Sequence, residues 1–367
     1  MKLEAVELRR IRMALVAPFE TSFGVQTERD ILLLRAITDI GDGWGECVAG
    51  EEPTYSSEYV EAAQHVLIHH LLTRLFAQPD LSAAEVAGVL RPVHGHQMAK
   101  AAVEMALLDA ELRARGESFA EYFGAVRPAV DCGVSVGIHK SIPELLETVA
   151  GYVEDGYRRI KLKIKPGWDV EPVRAVRERF RDVPLQVDAN TAYRVEDAHH
   201  LAELDAFDLL LIEQPLPEEQ VLAHAEVAKI VRTPICLDES ITSTQTAVDA
   251  ITLGACRIVN VKPGRVGGYL EARRIHDACA ERGVPVWMGG MLESGVGRAG
   301  NVAMAAMKNF TLPGDTSASD RYYQKDITHP FVLRDGRLDV PTGPGLGVVV
   351  DTDYLESITH WRKTVRP

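Results

Sequence analysis

The chain has 367 residues, 46% hydrophobic and 25% charged, with a formal net charge of −13. This length exceeds one typical domain and supports a large core, while the acidic balance excludes a partner such as nucleic acid or an anionic membrane surface, which would be repelled. The five cysteines (Cys47, Cys132, Cys236, Cys256 and Cys279) are odd in number and form no CxxC pair; this argues against a disulfide framework or structural zinc and for a reducing cytoplasm.

The opening MKLEAVELRRIRM alternates like a strand and lacks the apolar run of a signal peptide. No segment approaches the ~18 apolar residues of a membrane span. Residues 1–125 read as an α+β segment, with strands near 2–14, 30–39 and 43–48 ahead of helices such as HQMAKAAVEMALLDAELRARG. Beyond this, β-rich runs alternate with helical patterns. The predicted strands are VDCGVSVGI, RRIKLKI, PLQVDA, LLLIEQP, PICLDES, RIVNVKP, VPVWMGG and NFTLPGD, beginning at Val130, Arg158, Pro184, Leu209, Pro234, Arg257, Val284 and Asn309. Apolar residues in the segments between recur at helical spacing, and several of those segments end in Gly. About eight such βα units, with strands apolar on both faces, point to a parallel barrel. A doubly wound sheet is the competing architecture, but it usually has fewer strands. The barrel is expected over 126–320, and 321–367 reads as strand and turn around PTGPGLGV.

Buried parallel strands should not carry unpaired charge. Yet Lys161 and Lys163 lie in the second strand, and Asp188, Glu213, Asp238 and Lys262 mark the next four. In a barrel, the C-terminal strand ends form the active-site face. Three acids spaced one βα unit apart would converge there, and a hard cation with oxygen ligands relieves their repulsion. Taken singly, Asp188 or Asp238 is as well explained as a helix cap, but Glu213 is a poor cap and the three together are not. In Ile160-Lys161-Leu162-Lys163-Ile164, period two sends both lysines to one face. Paired lysines usually mark a solvated edge; inside a barrel they would depress each other's pKa, and a nearby cation would depress both further, toward use as a general base. Lys262 would lie across the barrel from that pair. Arg265 is either a modulator of Lys262 or a surface residue, and Lys165 falls past the barrel mouth.

Lys161-x-Lys163, Asp188-Ala-Asn190, Glu213-Gln214-Pro215, Asp238-Glu239-Ser240 and Lys262-Pro263 resemble the enolase superfamily in its muconate-lactonising subgroup. The runs RRIKLKIKPGWDVEPVRAVRERF, CLDES, NVKPGRVGGYLEARR, GGMLESGVGRAGN and LPGDTSASDRY are similar to N-acylamino-acid racemases, many of which are also o-succinylbenzoate synthases. The resemblance implies a modified (β/α)7β TIM-like barrel of the α/β class, closed by an α+β capping domain to which the C-terminal segment returns. It implies Asp188, Glu213 and Asp238 as ligands of Mg2+, with Mn2+ able to substitute, and Lys163 and Lys262 as the two acid/base residues. Lys161 would modulate Lys163, and Asn190 and Glu239 would belong to the metal surroundings. Cap loops at about Pro18–Glu28 and Ala49–Tyr55 would cover the substrate, with Phe19, Phe23, Ser135, Gly290 and Met291 as pocket candidates. Met288 stands where relatives often carry Cys.

The implied reaction is removal of the proton next to a carboxylate. Reprotonation from the opposite face racemises; loss of a β-hydroxyl dehydrates, as in the o-succinylbenzoate step of menaquinone formation. Muconate cycloisomerase or dipeptide epimerase activity remains open, as does a non-catalytic metal-stabilised binding protein. The expected partner is a small carboxylate substrate, with no nucleic acid and no membrane, in a homo-oligomer. The GxGxxG run Gly295-Val-Gly297-Arg-Ala-Gly300 is not read as a dinucleotide site, because GGMLES separates it from the preceding strand. Its glycines would instead admit a close neighbour or bind a substrate carboxylate at the helix start.

Overall fold

The computed structural model describes every residue from Met1 to Pro367. Three antiparallel strands come first: β1 (Leu3–Thr21), β2 (Gly24–Thr38) and β3 (Gly41–Cys47). One face of this sheet carries the long helix Gln97–Arg115. The approach is close because β3 presents glycine: a Cβ at Gly43 or Gly45 would lie 2.0 Å from the carbonyl oxygen of Ala106 or Ala102. The alanine-rich stretch of that helix is the complementary surface.

Next come β4 (Ala129–Asp131), β5 (Gly133–Val136), β6 (Arg159–Lys163), β7 (Leu185–Asp188), β8 (Ile212–Glu213), β9 (Ile235–Leu237), β10 (Ile258–Val261) and β11 (Val286–Met288). Strands β5 to β11 pair in sequential order, all parallel. The predicted first strand divides at Cys132. Its first part, β4, turns away to pair antiparallel with β12 (Arg337–Asp339), and only β5 enters the barrel. The predicted strand NFTLPGD does not form as a ladder. Its residues make isolated parallel pairings on both flanks, Val286 with Phe310 and Cys132 with Gly314. Pro313 has no amide to donate, so a regular strand cannot run through it. The segment still closes the barrel, with Gly133 N donating to Gly314 O at 2.7 Å and Asp315 N to Met288 O at 2.8 Å. Finally β13 (Thr359–Val365) pairs with β1. No helix is long and apolar enough to cross a membrane.

Buried acids of the N-terminal segment lock it onto the barrel. Glu46, in β3, accepts hydrogen bonds from Ser294 N (3.1 Å), Ser294 Oγ (2.6 Å) and Gly297 N (2.9 Å) at the start of helix Gly295–Ala305. Glu104 accepts from Leu270 N at 3.1 Å, in the first turn of helix Tyr269–Glu281. Both satisfy amides that a helix leaves free at its N-terminus. Asp326 takes the Gly295 amide at 2.8 Å. Glu46 and Asp326 occupy the start of the GxGxxG helix, so it is not a carboxylate site, and its glycines are packing positions. A Cβ at Gly295 would lie 1.8 Å from Thr328 Oγ1, and one at Gly300 2.4 Å from the Tyr269 hydroxyl.

Candidate active site

Strand β6 turns Lys161 and Lys163 into the barrel, 2% and 8% exposed, while Ile160 and Leu162 take the opposite face. Its neighbour places Asp188 in register with Lys163, and β8 places Glu213 in register with Asp188. Lys161 Nζ lies 2.7 Å from Asp315 Oδ2, 3.0 Å from Glu213 Oε2 and 3.2 Å from Asp188 Oδ2. It also sits 4.8 Å from the centre of the Trp287 ring, a cation–π arrangement. Lys163 donates to Asp188 Oδ2 (2.6 Å) and Asn190 Oδ1 (2.7 Å). Four strands further round from β6, Lys262 at the end of β10 donates to Asp238 Oδ2 and to the Tyr55 hydroxyl, both at 2.8 Å.

The loops after these strands are held in sparsely populated conformations. Asn190, two residues beyond Asp188 of β7, and Gln214, next after Glu213 of β8, have φ of 41° and 36°. Their side chains account for the strain. Asn190 Nδ2 donates to Glu239 Oε1 at 3.0 Å. Gln214 Oε1 accepts from the amides of Asp238 (3.0 Å) and Ser240 (3.2 Å), tying the loop after β8 to that after β9.

Burial sets the electrostatics. It pushes the Glu213 carboxyl up to about 8, with the charge of Asp188 adding to the effect against the attraction of Lys161. Asp238 is raised for the same reason, as is Glu239, which also feels Asp238 and Asp188. Asp188 moves the other way: burial opposes its charge, but Lys163 and Lys161 hold it below the ordinary carboxylate range. Burial also opposes the charges of Lys161 and Lys262. The acids outweigh it, led by Asp315 for Lys161 and Asp238 for Lys262, and both ammoniums are held above the usual lysine value. The expectation that the β6 pair would be depressed therefore does not hold for Lys161 among the protein groups alone.

Phe19, Phe23, Ser135, Lys161, Lys163, Asn190, Lys262, Gly290 and Met291 all line one cleft. Asp188, Glu213, Asp238 and Glu239 are not on its wall; the lysines and Asn190 lie between them and the opening. No three His, Cys, Asp or Glu side chains stand as a ready coordination sphere, because the carboxylate oxygens are turned toward the ammoniums. The donor chemistry nevertheless fits a hard cation. The carboxylates are buried, Glu213, Asp238 and Glu239 resist ionisation, and Glu239 Oε2 has no hydrogen-bond partner.

Arg265 is not a surface residue. It is 7% exposed, with Nη1 3.0 Å from Asp238 Oδ1 and the Tyr55 ring 5.1 Å away, and burial draws its pKa down to about 9. Met288 is fully buried and outside the cleft wall. Sequence reasoning assigned no individual role to Tyr55, whose hydroxyl contacts both Lys262 and Asp238 (2.8 and 3.1 Å) and whose ring lies tilted at 43° with its centre 5.4 Å from that of Phe23, joining the two cap loops over the site. Asp315 was also missed. It pairs with Arg159 (2.8 Å) as well as Lys161 and accepts from Ser135 Oγ at 3.2 Å. The available signal was Arg159, a second kind of cation inside a buried strand that demanded an acid from elsewhere.

Two family models account for most of the chain. Residues 5–124 match the mandelate racemase/muconate lactonizing enzyme N-terminal domain, and residues 144–354 the enolase C-terminal domain-like family. The chain belongs to the enolase superfamily. An N-succinylamino acid racemase from an Amycolatopsis species is 65% identical over 360 residues, 98% of each chain. An o-succinylbenzoate synthase from Geobacillus kaustophilus is 47% identical over 98% of this chain and 97% of its own. Among solved structures, an enolase-superfamily protein from Listeria innocua superposes with a TM-score of 0.96 at 39% identity, covering 100% of this chain and 99% of that one. The superfamily fold of a barrel under an α+β cap is thus established for this chain.

Proposed function

We propose that this enolase-superfamily protein removes the proton next to the carboxylate of an N-succinylamino acid and returns one from the opposite face, and that it also dehydrates the cyclohexadiene precursor of o-succinylbenzoate. The observation that carries this reading is the placement of Lys163 and Lys262 on the wall of one cleft, from strands separated by three others. The identities to a racemase and a synthase support the pairing of activities.

In this reading Asp188, Glu213 and Asp238 hold Mg2+, or Mn2+ in its place. When bound, the cation polarises the substrate carboxylate as a Lewis acid and adds positive charge that lowers the pKa of neighbouring ammoniums. Lys163 takes the α-proton as an amine, and the charge that develops on the substrate carboxylate meets the ammonium of Lys161. For racemisation Lys262 delivers its proton to the other face of Cα, so one lysine ends protonated and the other neutral. For dehydration Lys163 passes the proton it has taken to the departing β-hydroxyl, which leaves as water, and Lys262 contributes only charge. Phe19, Phe23 and Tyr55 cover the opening and exclude water, which strengthens each electrostatic contact beneath them.

The test combines Mg2+, an N-succinylamino acid and heavy water, followed by polarimetry and by loss of the α-proton signal. Lys163→Ala and Lys262→Ala should each abolish racemisation, by at least about a thousandfold for loss of a positioned acid/base. Lys163→Ala should lose dehydration as well, because Lys163 is its only base, whereas Lys262→Ala should retain α-proton exchange and residual dehydration through Lys163. Racemisation at wild-type rate in either variant rules out the two-base assignment.

A further inference from the structure

One guanidinium on the cleft wall has no part in the chemistry at the strand ends. Arg29, on β2, lines the cleft from the cap side yet is only 3% exposed. Its hydrogen bonds run from Nη2 alone, to the carbonyl oxygens of Val48 (3.1 Å) and Ala49 (3.4 Å), and Nε is buried with no partner. No acid forms an ion pair with it. The nearby carboxylates of the cap are engaged elsewhere: buried Glu46 on Ser294 and Gly297, and half-buried Glu58 on the amides of Gln97 (2.6 Å) and Met98 (2.9 Å).

A cation taken out of water and left without a counter-charge is costly, and a protein retains one where an anion comes to meet it. Backbone carbonyls on one edge of the guanidinium leave its remaining donors to a ligand, and the planar fork of arginine matches a carboxylate. The cleft therefore has two cationic regions. The lysines serve the reacting carboxylate at the barrel floor, and Arg29 stands apart from them on the cap wall.

We propose that Arg29 is the subsite for a second carboxylate of the substrate, at the far end of its N-acyl chain. The cleft then selects dicarboxylates and aligns them end to end, placing Cα between Lys163 and Lys262. This assignment rests on the reading of the active site given above and names the residue that makes the succinyl group matter.

The test uses the full protein with Mg2+ and two ligands built on one amino acid: the N-succinyl derivative and its neutral isostere, the N-succinamoyl derivative. Calorimetry gives the dissociation constants and polarimetry kcat/KM. Wild type should favour the succinyl ligand by at least about tenfold, as a charge-assisted contact requires. Arg29→Gln should bring the two ligands within about twofold by weakening the succinyl ligand alone, and Arg29→Lys should keep part of the preference. Equal weakening of both ligands in Arg29→Gln would mean that Arg29 only supports Val48 and Ala49, and would overturn the proposal. So would a wild type that does not discriminate. If Arg29→Gln does not fold, Arg29→Lys decides: a reduced preference supports the subsite and an unchanged one overturns it. Discrimination in binding without any exchange of the α-proton would sink the functional reading while supporting the Arg29 subsite.

Discussion

Glu46 offers a sharp test of how the cap is fastened over the site. Replacing it with Gln keeps the shape but removes the ionisable group that receives Ser294 N, Ser294 Oγ and Gly297 N. Burial pushes the Glu46 carboxyl from 4.5 to about 7; the hydroxyl of Ser294 pulls it down, and the charge of Glu293 adds to the rise. A folded-state pKa above the unfolded one means that folding binds a proton in that interval. The contribution of Glu46 is then complete below about 4.5 and is lost as pH rises through about 7. A displacement of this size corresponds to at most about 3 kcal/mol. Gln cannot titrate, and its amide meets donors rather than acceptors, a fixed cost of about 1–3 kcal/mol. The wild-type advantage over Glu46→Gln should therefore be largest near pH 5 and shrink by up to about 3 kcal/mol by pH 8. Paired urea titrations at pH 5, 6, 7 and 8 measure it. A stability difference that stays constant across that range refutes the reasoning.

Tyr55→Phe removes the hydroxyl shared by Lys262 and Asp238. Racemisation should fall by about tenfold, as for one lost charge-assisted hydrogen bond, with dehydration much less affected because it does not use Lys262 as a base; the two kcat values on one preparation check this. Asp315→Asn leaves Arg159 and Lys161 without their shared counter-charge, so a loss of about 3–5 kcal/mol in urea stability should accompany reduced turnover. Gly295→Ala drives a Cβ into Thr328 Oγ1. It should lower stability by about 1–3 kcal/mol, with partial recovery in the double variant carrying Thr328→Ala. Chelation of divalent cations should abolish both reactions, and added Mg2+ should restore them, as polarimetry will show.

Much of this architecture is local information. Period two in Arg159–Lys163 decides which side chains face inward, and that pattern is visible in five consecutive letters. The acids recur once per strand–helix unit because each sits at the end of a parallel strand, so Asp188, Glu213 and Asp238 were legible as a set. Where a local rule failed, a local cause explains it. Pro313 prevents the ladder expected of NFTLPGD, and the chain reverses roles at Cys132, giving β4 to β12 and β5 to the barrel.

Other features depend on residues that meet only after closure. Asp315 reaches Lys161 because the irregular eighth segment completes the barrel beside β5, and Tyr55 reaches Lys262 because the cap folds over the strand ends. Arg265 and Arg29 are charged residues whose burial no periodicity announces. Sequence by itself determined the kind of strand, the inward face and the inventory of acids and lysines, since each follows from neighbours along the chain. Tertiary structure alone decided which charges are paired and which cation is left without a counter-ion, because desolvation and ion pairing are properties of the groups that surround a side chain in space.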